Sequence, residues 1–206
     1  MKAASFLLFC SFLAAIEAAA QNETMKDAST EPALPYYEIP GYPETYTAGT
    51  VAARLVDGLG FRYYWATEGL RAEDLQYRPN EAARTTGETL DHIYGLSVLI
   101  ANAPKRLPKL RPEESGELAF EQKRRRTLEN FRDAAGLLRA STDEEMAQFN
   151  LVFQRGEETS EYPFWNLING PIADALWHVG QVVSFRRSSG NPLNPKVSLF
   201  SGRVRE

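Results

Sequence analysis

The stretch "ADALWHVGQVVSFRRSSGNP" (residues 173–192) sets how the rest of the chain is read. Gly190 and Pro192 close a helix, and Arg186 and Arg187 near its end suit the negative pole of the helix dipole. Before those arginines the only polar groups of chemical interest are Asp174, His178 and Gln181. Steps of four, three and four residues place Asp174, His178, Gln181 and Phe185 on one face. Ile172, Leu176, Val179 and Val183 cover a second side. Ala173, Gly180 and Ser184, small enough for close helix approach, cover a third, so the helix is expected to be buried most of the way round. A carboxylate in such a place is costly unless it is paired or holds a metal.

Three further helical patterns precede it. From Thr45 to Leu70, the residues Ala52, Leu55, Leu59, Tyr63, Ala66 and Leu70 recur at steps of three and four and make one apolar stripe. Gly58 and Gly60 weaken that helix locally. From Thr85 to Ala103, Thr85 and Glu88 have the spacing of a capping box, and Pro104 ends the pattern. From Ser115 to Ala140 a strongly charged helix carries a narrow stripe of Leu128, Phe131, Ala135 and Leu138. The fourth pattern spans Phe164 to Ser189, with Pro171 able to start or kink a helix. Residues 149–163, "FNLVFQRGEETSEYP", alternate enough for a hairpin, but a lone hairpin is marginal, and they are taken as a long crossover. The expectation is an all-α fold, a four-helix bundle over residues 45–192 with a C-terminal tail at 193–206.

The N-terminus carries a processing signal. Lys2 precedes an apolar run from Ala3 to Ile16, and Ala18-Ala19-Ala20 comes just before polar Gln21-Asn22-Glu23. That is the layout of a secretory signal peptide over 1–20 with an A-x-A site, and the run is shorter than the roughly 20 apolar residues of a spanning helix. Export to the periplasm or the outside is expected, without stable membrane insertion. Cys10, the only cysteine, lies in the leader, so the mature chain is expected to lack disulfides, Cys ligands and Cys nucleophiles. Residues 21–44, with Pro32, Pro35, Pro40 and Pro43 among tyrosines, read as an extended lead-in.

At 206 residues, 43% hydrophobic and 24% charged, the chain can build one core and is not a disordered polymer. A net charge of −4 gives no overall attraction for nucleic acid. The run Lys123-Arg124-Arg125-Arg126 is taken as a solvated helix face, and Trp65, Trp165 and Trp177 as core or pocket wall. Either basic group, this run or Arg186-Arg187, could hold an anionic substrate. No P-loop, dinucleotide fingerprint or nucleophile elbow is present.

The chain has two histidines, and the second falls in an informative place. His92 shares an arc with Ile93, Leu96, Leu99 and Ile100 and should face inward. An i,i+4 Asp/His pair is either a modest side-chain pair or two ligands of one ion, for which His92 is the natural third, leaving a position open for water or substrate. Imidazole and carboxylate suit a divalent Zn, Ni, Fe or Mn alike. Glu88, one turn before His92, is a candidate general base beside its capping role, and Gln181 a further candidate catalytic group.

The segments "TTGETLDHIYGL" around His92 and "ADALWHVGQVVSFRRSSGNP" resemble the two signature regions of the DinB-like family of metal-binding four-helix bundles, over roughly Thr47 to Pro192. His92 matches the family's first ligand, His178 the second histidine of its H-x3-H pair, and Gly180-Gln181 the dipeptide that follows. Asp174 stands where the family usually has histidine. The resemblance implies a metal-dependent transferase that uses a low-molecular-weight thiol, or a hydrolase, acting on a small molecule, and a homodimer formed through bundle faces. A non-catalytic binding protein that keeps the bundle, its metal structural or lost, is the competing expectation.

Overall fold

Two threonines start the first helix. In α1 (Ala48–Thr67), the Thr47 hydroxyl accepts the Thr50 N–H at 3.1 Å while the Thr50 hydroxyl accepts the Thr47 N–H at 2.8 Å, so two orphan donors of the first turn are satisfied reciprocally. A computed structural model describes residues 33–111 and 118–206. The expected leader (1–20) and most of the lead-in (21–32) lie outside the described residues. Leu34–Glu206 makes one compact unit, and no described helix is long and apolar enough to cross a membrane.

After the short α2 (Ala72–Gln76) comes α3 (Thr86–Asn102), which begins at the capping box that the sequence spells out. Residues 115–117 of the expected third helix lie outside the described residues; α4 (Phe120–Ala140) buries Leu128, Phe131, Ala135 and Leu138 as expected. A one-turn α5 (Asp143–Met146) follows. The last helical run is α6 (Phe164–Leu167), a π-turn over Ile168–Ile172, and α7 (Ala173–Ser188). Pro171 lacks an N–H and its ring clashes with the preceding turn. The wider π-turn absorbs both problems without ending the helix.

α1 packs on α4 and α7, and α3 packs on α4 and α7. Between them lies a core that includes Val56, Leu59, Tyr63, Ile93, Ile100, Phe131 and Val182. Truncating a large member to alanine typically costs about 3–5 kcal/mol. Gly60 has a packing reason: a Cβ there would lie 2.5 Å from the Tyr36 ring, which the lead-in lays across α1. Tyr36 then hydrogen-bonds the buried Asp57 at 3.2 Å, and Arg139 of α4 holds the other oxygen of Asp57 at 2.5 Å. The tail is also tied down. Val197–Ser198 (β4) and Arg203–Val204 (β5) form a hairpin, and the Ile39 N–H donates to the Gly202 carbonyl at 3.0 Å.

The fold is roughly all-α as expected, but the stretch taken as a plain crossover needs correcting. Leu151–Arg155 (β2) and Glu158–Tyr162 (β3) form an antiparallel hairpin, and Lys109–Arg111 (β1) adds a parallel third strand in the order β1-β2-β3. Gly156, at φ 60°, opens the two-residue turn, where a glycine-first loop matches strand twist. The hairpin is stable because it is not alone: Leu151 is buried and Phe153 packs on the core. The fold is therefore mostly helical with two small sheets.

Three further expectations change. Leu55 is 42% exposed, and Ala53 and Val56 take the inward positions beside Ala52 and Leu59. α7 is not buried all round, because Ala173, Trp177, Gly180 and Ser184 form an open face. Of the tryptophans Trp65 is core and Trp165 lines a surface groove, as expected, whereas Trp177 stands out into solvent.

Candidate metal centre

α3 and α7 bring the two histidines together. On α3 the buried Leu90, Ile93 and Ile100 fix the helix phase and leave His92 half-buried at the α7 side. On α7 the buried Ala175, Val179 and Val182 do the same for Asp174 and His178. Because both helices are locked by packing, the three side chains meet on a rigid frame.

Asp174 stands between the imidazoles. Its Oδ2 lies 3.0 Å from His92 Nε2 and its Oδ1 lies 3.3 Å from His178 Nε2. The rings approach edge to face, with centroids 4.6 Å apart and an interplanar angle of 88°. His178 Nδ1 is 2.7 Å from Gln181 Oε1. With Oε1 as the acceptor, Nδ1 donates its proton to Gln181, which would leave Nε2 as the ligand atom toward a cation shared with Asp174. Gln181 thus fixes the tautomer and ring plane of His178, as outer-shell groups do at metal sites. Asp174 is 42% exposed, His92 34% and His178 14%, so the cluster opens to solvent on the side of Asp174 and His92. The expected deep burial of the carboxylate is corrected accordingly: its charge faces water as well as the histidines.

The donor set fits a divalent cation. One ligand atom from each of the three residues lies within 4.8 Å of the others. Around an ion with bonds near 2.1 Å, ligand atoms sit ~3.4 Å apart in tetrahedral geometry, so small side-chain rotations suffice. Two neutral imidazoles with a carboxylate leave one net positive charge on a divalent ion, and an exposed side for a further ligand.

The other sequence candidates fall elsewhere. The Glu88 carboxylate accepts the Thr85 N–H at 2.7 Å, which holds its pKa below the usual carboxylate range. Glu88 therefore serves the cap and does not join the cluster. Arg186 is buried, donating to the Trp65, Ala66 and Asn191 carbonyls at 2.9, 3.1 and 2.7 Å, so it closes the end of α1 and is not available to an anionic substrate. Within the basic run, Lys123 pairs with Asp91, while Arg124 is buried on Thr67 and Glu68, so only part of it is a solvated face.

Lys109 falls between two of the helical patterns and carries no sequence expectation. It is buried and its Nζ donates to the Gly95 carbonyl at 2.9 Å, one turn beyond His92. It clamps β1 to α3. A lone lysine between prolines offered no periodic signal for that role.

No family model, curated protein or solved structure matches this chain.

Proposed function

We propose that the chain is an exported DinB-like four-helix bundle in which His92, Asp174 and His178 hold a divalent cation (Zn, Ni, Fe or Mn), and that it is a metal-dependent enzyme of the transferase or hydrolase class acting on a small molecule. The observation that carries the proposal is the meeting of the only two histidines in the sequence with one carboxylate, on two separate helices, at a spot open to solvent. A polar cluster kept for structure is usually closed and fully paired. This one points three ligand-type atoms at one another.

Each residue has a distinct task. His92 and His178 would each offer an Nε2 to the cation and Asp174 a carboxylate oxygen, while Gln181 orients the His178 ring through Nδ1. A bound divalent cation would supply the positive charge that acidifies a water or a small thiol at the exposed position. The commitment of Glu88 to the helix cap favours the thiol-using branch, in which the cosubstrate is itself acidic enough to supply the nucleophile without a carboxylate base.

The test is metal content. Purified mature protein should carry about one equivalent of a transition metal by mass spectrometry, and His178→Ala should lose it while circular dichroism keeps its helical signal. Stoichiometric metal retained by His178→Ala would overturn the centre as drawn. A coordination shell closed by protein alone would overturn the catalytic role and leave a structural ion.

A further inference from the structure

On the outer side of α1, Val51 and Leu55 stand one turn apart, 50% and 42% exposed, with no helix of the described residues covering them. Opposite them, Phe164 and Trp165 open α6. Together with Tyr46 and the end of α5 they line a groove of about 700 Å³, within the size range of small-molecule sites. Trp165 is 72% and Tyr46 94% exposed. Aliphatic and aromatic side chains left in water around one concavity mark a surface that gains by being covered.

The charge around it has one sign. Among the described residues that line it, Asp143 is the only ionisable acid or base apart from the tyrosine. Arg54, the cation of α1 beside Val51 and Leu55, is drawn away: it donates to the Pro40 carbonyl at 2.7 Å and its guanidinium lies over the Tyr42 ring at 4.9 Å. The neighbouring Glu145 caps Thr142 at 2.9 Å and is not offered to the groove. Tyr46, Phe164 and Trp165 present rings whose faces attract cations. An anionic head would meet the Asp143 carboxylate without a compensating donor.

We propose that this groove binds a hydrophobic cation, an amine or quaternary ammonium carrying an aliphatic or aromatic body, with the body along Val51, Leu55 and Trp165 and the head toward Asp143. The site is separate from the metal centre and does not depend on it.

The test titrates the mature protein, by calorimetry and tryptophan emission, with decyltrimethylammonium, decanoate and decyl maltoside, each below its micelle-forming concentration. The ammonium should bind one-to-one and at least about 10-fold more tightly than decanoate, as expected when a charge pair is replaced by a like-charge clash. Asp143→Asn should narrow that gap to about 3-fold or less and leave decyl maltoside unchanged. Trp165→Ser and Leu55→Ser, both at exposed positions, should weaken the ammonium about 10-fold with unaltered circular dichroism. Equal affinity for the two charged probes, or a preference untouched by Asp143→Asn, overturns the assignment. So does absence of saturable binding, including the case in which Trp165→Ser instead changes the sedimentation of the protein and marks the groove as a contact between copies.

Discussion

Two aspartates near opposite ends of α7 show how a structural cluster differs from a candidate site. Asp74 is fully buried, and its carboxylate accepts from the Arg71 backbone N–H, the Arg71 Nε and Nη2, the Ser189 hydroxyl and the Asn191 amide, at 2.6 to 2.9 Å. Asp174 is 42% exposed and, among the described residues, meets two imidazole nitrogens. The first cluster is closed: α2 is bolted to the residues that follow α7, and nothing further can enter. The second is open and lacks donors on one side. Satisfaction and access, more than residue type, separate the two.

The contrast breaks most sharply at Asp174. Asp174→Ala should weaken divalent-metal affinity by more than about 100-fold, beyond what loss of an outer-shell group does, measured by chelator competition, while the melting temperature of the metal-free protein moves by about 2 °C or less. A large loss of metal-free stability would show that Asp174 belongs with Asp74 as a structural residue.

Asp74→Asn should do the reverse. Breaking a buried, charge-assisted network costs about 3 kcal/mol, or about 6–12 °C in a chain of this length, and metal affinity should not change. The pH dependence sharpens this. Arg71 first, then Ser189 and Asn191, hold the Asp74 carboxyl well below the usual range. The unfolded chain thus binds this proton more readily than the native one, and stability rises with pH. The contribution is complete above about pH 4 and is lost as pH falls below it toward the native value. Denaturation followed from pH 6 to pH 2 should show this loss in the parent and a shallower slope in Asp74→Asn.

Gln181→Leu should weaken metal affinity about 10–100-fold, because His178 is then free to rotate and to move its proton. Gln181→Glu, which keeps the acceptor, should restore it. The smallest effect is expected at Glu88. Glutamine also serves at that capping position, so Glu88→Gln should change stability by about 0.5 kcal/mol or less and leave metal-dependent turnover intact. Loss of turnover with a sound fold would return Glu88 to the role of general base.

Much of the helical frame was legible. Thr85 and Glu88 mark the start of α3 because a capping box is a local device. Leu128, Phe131, Ala135 and Leu138 mark the buried stripe of α4 because charged residues crowd the other positions over its first two-thirds. Less legible was α1, where apolar residues occur nearly all round. Periodicity there admits Leu55 or Val56 as the inward residue, and only the positions of α4 and α7 select Val56. The hairpin at 151–162 was undervalued for a similar reason: its stability comes from β1, some 40 residues earlier in the chain, and from burial of Leu151.

The candidate site divides in the same way. Spacing alone puts Asp174 and His178 on one face of a helix, since a step of four residues nearly completes a turn. Whether His92 joins them, and whether Gln181 takes the Nδ1 side of His178, depends on how α3 sits against α7 and on which ring edge faces it. From sequence by itself come the long helices, the capping box of α3 and the identity of the three ligand-type residues, because these follow from short-range chemistry. Tertiary structure alone decided that Asp174 faces water while Asp74 is sealed, that Leu55 and Trp165 look outward, and that three ligand atoms from two helices converge. Burial and convergence are properties of pairs of elements, and no one segment encodes its neighbour's position.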